Sequence, residues 1–287
     1  MPKLRRLELR SLAFVDDGAA ALFASPSSWL ALEEICTHYG DWANDVFERL
    51  PWVDETTAAL AAAWGSAPRL RSFTMTGSVS EDAARALAAS GARLEELRLE
   101  LRDFDGCFGD GAVDALVASR SFALRRLKVT ECQLSSDALR SLAATTWPLE
   151  ELAVGFDFSG DDAGPALKAL AQRHLGLRRL EIAGGSLDAG GVSALFSAHW
   201  PALAELRVRL WRDEWNEIDG ALDASAFAGL PRLEVLCMSS SMSGAVVRAL
   251  AGQMRPVLKR LELVGRRSEP PTLEAVRRWA PAIEEVG

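Results

Sequence analysis

Residues that form disulfides or hold metals are scarce in this chain. It has four cysteines and three histidines in 287 residues. Cys36, Cys107, Cys132 and Cys237 lie far apart, and none belongs to a Cys-x-x-Cys pair. This spacing indicates neither a zinc site nor a disulfide framework. We therefore expect a reducing, cytoplasmic compartment, with no metal site and no cofactor.

The chain also lacks long apolar runs and linkers. No segment approaches the roughly 20 consecutive apolar residues that a membrane span requires, and the N-terminus has no signal-peptide pattern. No Pro/Gly/Ser-rich stretch divides the sequence, which is 49% hydrophobic and 25% charged. This composition is typical of a soluble globular protein, so we predict one domain over residues 1–287 and no membrane partner.

Basic residues are in deficit: 32 lysines and arginines face 40 acidic residues, for a formal net charge of -8. Nucleic-acid binding requires clustered cations that displace counterions from phosphates. The acidic balance therefore predicts no nucleic-acid partner and favours a basic or amphipathic protein partner.

Catalytic motifs are absent from the sequence, which contains no P-loop, Gly-x-Gly-x-x-Gly, His-Glu-x-x-His or Gly-x-Ser-x-Gly pattern. Cys36 and His38 face the same side of one predicted strand, but residues two apart are about 7 Å from each other along the backbone. A catalytic base requires a contact of about 3 Å. Asp103 and Asp105 resemble the start of a calcium loop that lacks its later glutamate. We predict that the chain is not an enzyme.

What the sequence does contain is a repeat. The pattern Leu-x-x-Leu-x-Leu recurs ten times at intervals of 24 to 38 residues, with a fragment at Ile283 and Val286. The copies begin at Leu4, Leu32, Leu70, Leu94, Leu124, Leu149, Leu177, Leu203, Leu233 and Leu258. Between them, small and leucine residues recur at helical spacing, for example over 80–87 and 136–142. One strand–helix unit cannot bury its apolar face alone, so the units are expected to stack into a solenoid.

This pattern resembles the leucine-rich repeat family, in its ribonuclease-inhibitor-like subclass. The resemblance covers essentially all of residues 1–287 and implies an α/β solenoid of about ten repeats, a horseshoe with a concave parallel sheet and convex helices. Cys132 fills the family's Asn/Cys position after the strand, whereas Gly185 and Ser241 occupy it elsewhere. The 28 arginines against four lysines, together with the abundant alanine, resemble bacterial members.

Charge alternates in sign from strand to strand. The residue pairs between the first two leucines of each copy are Arg5-Arg6, Glu33-Glu34, Arg71-Ser72, Glu95-Glu96, Arg125-Arg126, Glu150-Glu151 and Arg178-Arg179. Opposite charges on adjacent strands attract, so we expect this surface to neutralise itself. The strand with Val235, Cys237 and Ser239 is uncharged at these positions, which predicts a docking strip. The open alternative is that a single substitution accounts for this interruption of the charge pattern.

Three repeats carry longer segments after the strand, at 40–54, 102–110 and 211–219, and each mixes aromatic with acidic residues. Loops on a rigid scaffold often bind partners, and tryptophan and phenylalanine are frequent interface anchors. The predicted anchors are Trp42, Trp52, Phe104, Phe108, Trp211 and Trp215. The alternative is that these aromatic side chains fold back onto their own repeats.

We therefore predict a non-catalytic protein–protein interaction module or scaffold subunit that binds a protein partner through this loop rim and the concave face. The alternative is a regulatory, inhibitory or substrate-receptor arm of a larger assembly. The chain starts inside its first repeat and stops inside a fragment, and Arg5-Arg6 is complementary in charge to Glu284-Glu285. Because solenoids need covered ends, end-to-end self-association or packing on a neighbouring subunit is also expected.

Overall fold

Strands that recur once per repeat dominate the fold. A computed structural model describes residues 4–10, 29–38, 67–77, 79–101, 108–156, 163–184, 187, 189–210, 227–239, 246, 249–250, 257–264, 276–278 and 280–286. Eleven strands follow one another in the sheet in chain order. They are β1 (Arg6–Arg10), β2 (Glu34–His38), β3 (Ser72–Gly77), β4 (Glu96–Leu101), β5 (Arg126–Leu134), β6 (Glu151–Phe156), β7 (Arg179–Gly184), β8 (Glu205–Leu210), β9 (Val235–Ser239), β10 (Arg260–Val264) and β11 (Glu285–Val286).

Helices alternate with strands in the better described middle of the chain. Five are delimited within the described residues: α1 (Glu81–Ala89), α2 (Asp110–Val117), α3 (Ser136–Ala144), α4 (Gly164–Arg173) and α5 (Ala189–Ser197). The parallel strands and intervening helices confirm the predicted α/β leucine-rich repeat solenoid. The described contacts fall into two compact units, the first made of residues 1–132 and 145–148 and the second of residues 133–144 and 149–287.

In the first unit, strands β1 to β5 pair in parallel so that equivalent repeat positions lie side by side. The row at the second leucine of the motif consists of Leu7, Ile35, Phe73, Leu97 and Leu127. From Ile35 onward every member of this row is buried. Burial of one large apolar side chain stabilises the fold by about 1.5–3 kcal/mol, so the repeated row accounts for the strand register.

The first unit contains a capped helix and a pair of packed helices. Ser80 caps α1, because its hydroxyl accepts a hydrogen bond of 3.1 Å from the backbone N–H of Ala83. Helices α1 and α2 pack against each other. Phe122 and Trp147 form a tilted aromatic pair with ring centroids 6.5 Å apart.

The second unit repeats the same construction over β6 to β11. Its buried row is Leu152, Leu180, Leu206, Leu236 and Leu261. Helix α4 packs between α3 and α5. The indole N–H of Trp200, a side chain that is only 1% exposed, donates to the carbonyl oxygen of Leu195 at 2.9 Å.

The turn after a strand takes different forms in different repeats. After β7, Gly184 has φ +136°, and a Cβ there would lie 2.0 Å from the carbonyl oxygen of Phe156 on the neighbouring strand. In β5, Glu131 has φ 62°, and the thiol of Cys132 donates to the carbonyl oxygen of Val129 at 3.7 Å. This contact joins two residues of the same strand. Gly185 and Ser241 lie outside the described residues.

Candidate functional site

The candidate site is the polar face of the sheet, which we define as the strand positions that alternate with the buried row. In the first unit these positions include Arg6, Glu8, Glu34, Cys36, Ser72, Thr74, Glu96, Arg98, Glu100, Arg126 and Lys128. In the second unit they include Arg179, Glu181, Glu205, Arg207, Arg209, Val235, Cys237, Arg260, Glu262 and Val264. Side chains on this face contact their counterparts on the adjacent strand, because the repeats lie in register.

Glu96 is the centre of the charge network on the first unit. Its side chain is only 11% exposed and pairs with Arg98 on its own strand and with Arg126 on the next, the latter at 2.6 Å. Lys128 and Glu100 pair across the same two strands at 2.5 Å. These contacts confirm the self-neutralising pattern that alternating signs predict.

The row just before the strands carries the same pattern. Arg71 lies 3.4 Å from Glu95, and Lys259 lies 2.7 Å from Glu234. The hydrogen bond to Glu234 raises the pKa of Lys259 above its ordinary value. Because both partners of each pair are about half exposed, the solvent screens these attractions and each contributes little to stability.

On the second unit the network surrounds β8. Glu205 pairs with Arg207 on the same strand and with Arg179 on β7 at 3.6 Å. Burial lowers the pKa of Arg207, but the hydrogen bond to Glu205 and the negative charges of Glu205 and its neighbours together outweigh that effect, and the pKa lies above its ordinary value. On β10, Arg260 pairs with Glu262 at 3.0 Å and with Glu285 at 3.4 Å.

Strand β9 interrupts this network, as the sequence indicates. Its residues Val235 and Cys237 lie in register between charged residues of β8 and β10. Val235 is half-buried, whereas Cys237 is buried and donates its thiol to Glu262 at 3.4 Å. Burial raises the pKa of the Cys237 thiol, with Arg207 opposing the shift, so the group is un-ionised near neutral pH. Ser239 is the last residue of β9.

One apolar residue of this face was missed by the sequence analysis. Val264, at the end of β10 and in register with Ser239, is 59% exposed. In the sequence, Val264 directly follows the third apolar residue of its motif, where the two preceding repeats have the polar residues Arg209 and Ser239. Val235 lies at the start of β9 and Val264 at the end of β10, four residues apart in the register of the two strands. With Cys237 between them they form a strip that we call the β9–β10 patch, bordered by ion pairs.

Of the loop anchors predicted from the sequence, only Phe108 lies within the described residues. Trp42, Trp52, Phe104, Trp211 and Trp215 lie outside them. Phe108 is 1% exposed and belongs to the core just before α2. Its side chain therefore offers no surface to a partner in this structure.

The pairing of Cys36 with His38 finds no support in the contacts of the thiol. Cys36 is buried and donates to Glu34 at 3.4 Å. Burial, followed by Glu34, raises the pKa of this thiol, which is opposite to the activation that a nucleophile needs.

Two further features of the described residues concern metal binding and membrane insertion. Among those residues, no three histidine, cysteine or acidic side chains come together as a metal site would require. The described helices include none with the length and apolar character needed to cross a bilayer.

Comparison with known proteins supports the fold. No protein-family model matches the chain, and no curated protein matches it at a significant level. Among solved structures, TLR13, a leucine-rich repeat protein, in its complex with ssRNA13 aligns with a TM-score of 0.53 at 18% identity. The alignment covers 99% of this chain and 36% of that one, so this chain spans about a third of that protein's length.

The TLR13 complex also corrects one prediction. The net charge of -8 was taken to exclude nucleic acid as a partner, and this exclusion is wrong, because a protein of the same fold is in complex with a single-stranded RNA. The physical reason is that phosphate contacts depend on a local group of cations, whereas the net charge is a sum over the whole surface.

Proposed function

We propose that the chain is a non-catalytic binding module that engages a protein partner through the polar face of its second unit and through the aromatic and acidic segments that follow the strands. The β9–β10 patch is the observation on which this proposal depends. Val264 is exposed and Val235 is half-buried, on a face whose other members are largely occupied with ion pairs. Apolar contact surrounded by polar residues is the usual anatomy of a protein interface.

The test is capture of interaction partners by matched variants. Val235→Arg and Val264→Arg together place two charges on the β9–β10 patch. Leu175→Arg is the control, because Leu175 is a similarly exposed apolar residue, 54% exposed, outside the polar face. We expect partners captured by the parent chain and the control to be lost from the double variant. Identical capture by all three chains contradicts the proposal.

Several properties accompany this function. We propose a reducing, cytoplasmic compartment, because Cys36, Cys132 and Cys237 are buried thiols that form no disulfide within the described residues. The alternation of strands with full helices supports the ribonuclease-inhibitor-like subclass, and the arginine-rich composition supports a bacterial source. A regulatory, inhibitory or substrate-receptor role in a larger assembly uses the same face, with the effector on a neighbouring subunit.

A single-stranded nucleic acid is a second candidate ligand. The observation that favours it is the TLR13 complex with ssRNA13, since the folds match. Binding of a labelled oligonucleotide by the purified chain tests this candidate directly.

A further inference from the structure

Three arginines form a row along the helix-to-strand loops of the first unit. Arg69 directly precedes Leu70, Arg93 directly precedes Leu94, and Arg120 follows α2 on the way to β5. All three are exposed. Among the described residues, the arginines of the polar face pair with carboxylates, whereas these three make no hydrogen bond or ion pair. We call them the arginine row.

Contacts between neighbouring loops show how the members of the arginine row are placed. The backbone N–H of Glu95 donates to the carbonyl oxygen of Arg71 at 2.8 Å, so Arg69 and Arg93 occupy equivalent positions of adjacent repeats. The hydroxyl of Ser119 donates to the carbonyl oxygen of Ala88 at 3.0 Å, which places Arg120 nearer the end of α1 than to Arg93. The three arginines therefore lie on consecutive loops, with Arg120 offset toward the helices.

The loops that carry the row contain no acidic residue. Aspartate and glutamate are absent from 67–70, 90–94 and 118–124. The nearest described carboxylate in sequence, Glu95, pairs with Arg71. Acids of these repeats instead start the helices, as with Glu81, Asp82 and Asp110, where the helix dipole favours negative charge. The row is thus locally basic on a chain of net charge -8.

The surroundings of the arginine row point to the chemistry of its ligand. Small or polar residues such as Pro68, Gly91 and Ser121 stand between the arginines, and none of the exposed large apolar residues of the described chain lies in these loops. Protein interfaces depend on apolar and aromatic anchors, which this surface lacks. Guanidinium groups, by contrast, bind phosphates in bidentate geometry without apolar support.

We propose that Arg69, Arg93 and Arg120 bind the phosphodiester backbone of a single-stranded nucleic acid. This inference rests on the second candidate function and names its surface. Each of the three guanidinium groups is able to bind one phosphate, so the row makes up to three phosphate contacts. The contacts read no base, so binding is independent of sequence. Each phosphate contributes a slope of about -0.7 in the dependence of log K on log salt for single strands, which gives a slope of about -2 for the row.

The experiment measures fluorescence anisotropy of a labelled 20-nucleotide poly(U) strand with the full chain between 50 and 200 mM NaCl. For the parent chain we expect affinity to fall about 16-fold over this range, the consequence of a slope of about -2. The variant Arg69→Gln/Arg93→Gln/Arg120→Gln is expected to lose at least tenfold in affinity at 50 mM NaCl and most of the salt dependence. Its Tm should not change, because the replaced side chains are exposed and unpaired within the described structure.

The control variant is Arg85→Gln/Arg140→Gln/Lys168→Gln, which removes the same charge from exposed helix positions. Its affinity is expected to stay within twofold of the parent. Equal losses in the two variants overturn the proposal, because they indicate a general charge effect. An unchanged affinity in the arginine-row variant shows that these three arginines are not the binding surface, but the second candidate function still stands. Absence of binding by the parent chain contradicts both this proposal and the second candidate function. If polyglutamate of equal charge displaces poly(U) equally well from the row, the ligand is an acidic polypeptide and the nucleic-acid proposal is wrong.

Discussion

The value of burial for an ion pair can be measured on this sheet, because it offers two pairs of nearly equal length. Glu96 and Arg126 approach to 2.6 Å, with side chains 11% and 48% exposed. Glu234 and Lys259 approach to 2.7 Å, with side chains 43% and 50% exposed. The two glutamates thus differ chiefly in their access to water, which screens the second pair.

The perturbation is a double-mutant cycle on each pair, in which both partners become glutamine singly and together. Coupling between exposed partners is small, so we expect the weaker coupling for Glu234–Lys259. Hydrogen bonds to charged groups contribute about 1.5–3 kcal/mol. Because the Glu96 side chain is only 11% exposed, water screens its pair less, and we expect a coupling of about 1.5 kcal/mol or more for Glu96–Arg126.

The assay is urea unfolding followed by circular dichroism and tryptophan fluorescence, evaluated where the two transitions coincide. Each cycle is repeated in 1 M NaCl. We expect salt to abolish the Glu234–Lys259 coupling and to leave most of the Glu96–Arg126 coupling in place. Equal couplings, or an equal loss in salt, refute the reasoning that burial of Glu96 strengthens its pair.

Four other substitutions test the fold and its titration. Gly184→Ala is expected to cost about 3 kcal/mol or more, because it adds a backbone clash with Phe156 to a positive φ. Gly91→Ala, with positive φ but open space, is expected to cost only about 1–2 kcal/mol, measured by urea unfolding. Since the Cys237 thiol has a raised pKa, its stabilising contribution is complete below the unfolded thiol value of about 8.5 and is lost as pH rises through the folded value. The unfolding free energy of Cys237→Ala should therefore fall less between pH 7 and pH 10 than that of the parent. Ser80→Ala removes the cap of α1 and is expected to cost about 1 kcal/mol, visible as a lower Tm.

The strands could be predicted from the sequence because their signal is repeated and local. Each copy of the leucine motif supplies the period-two alternation of a strand, and the copies align without reference to distant contacts. Ser80 was likewise readable as a cap, because its role depends on residues three positions away. Positions of this kind need no knowledge of the tertiary structure.

The position of Phe108 could not be predicted from composition. An aromatic residue within an acidic segment looks like an interface anchor, yet Phe108 is buried and directly precedes Gly109, the N-cap of α2. A hydrophobic residue before the N-cap commonly packs onto the first turns of the helix. The informative signal was therefore the helix start after Phe108, and not the acidity of the loop before it.

The exclusion of nucleic acid failed for a reason that is general to repeat proteins. Stacking in register turns each repeat position into a column, so charge is sorted by position within the repeat. In the first unit the strand positions hold neutralised pairs such as Glu96–Arg126. Helix starts collect acids such as Glu81, and the helix-to-strand loops collect arginines such as Arg93. A formal charge of -8 averages over these columns, whereas a ligand within a Debye length of about 8 Å at physiological salt responds to a single column. The helix starts and the helix-to-strand loops of this unit therefore differ in local charge, and each surface requires its own binding test.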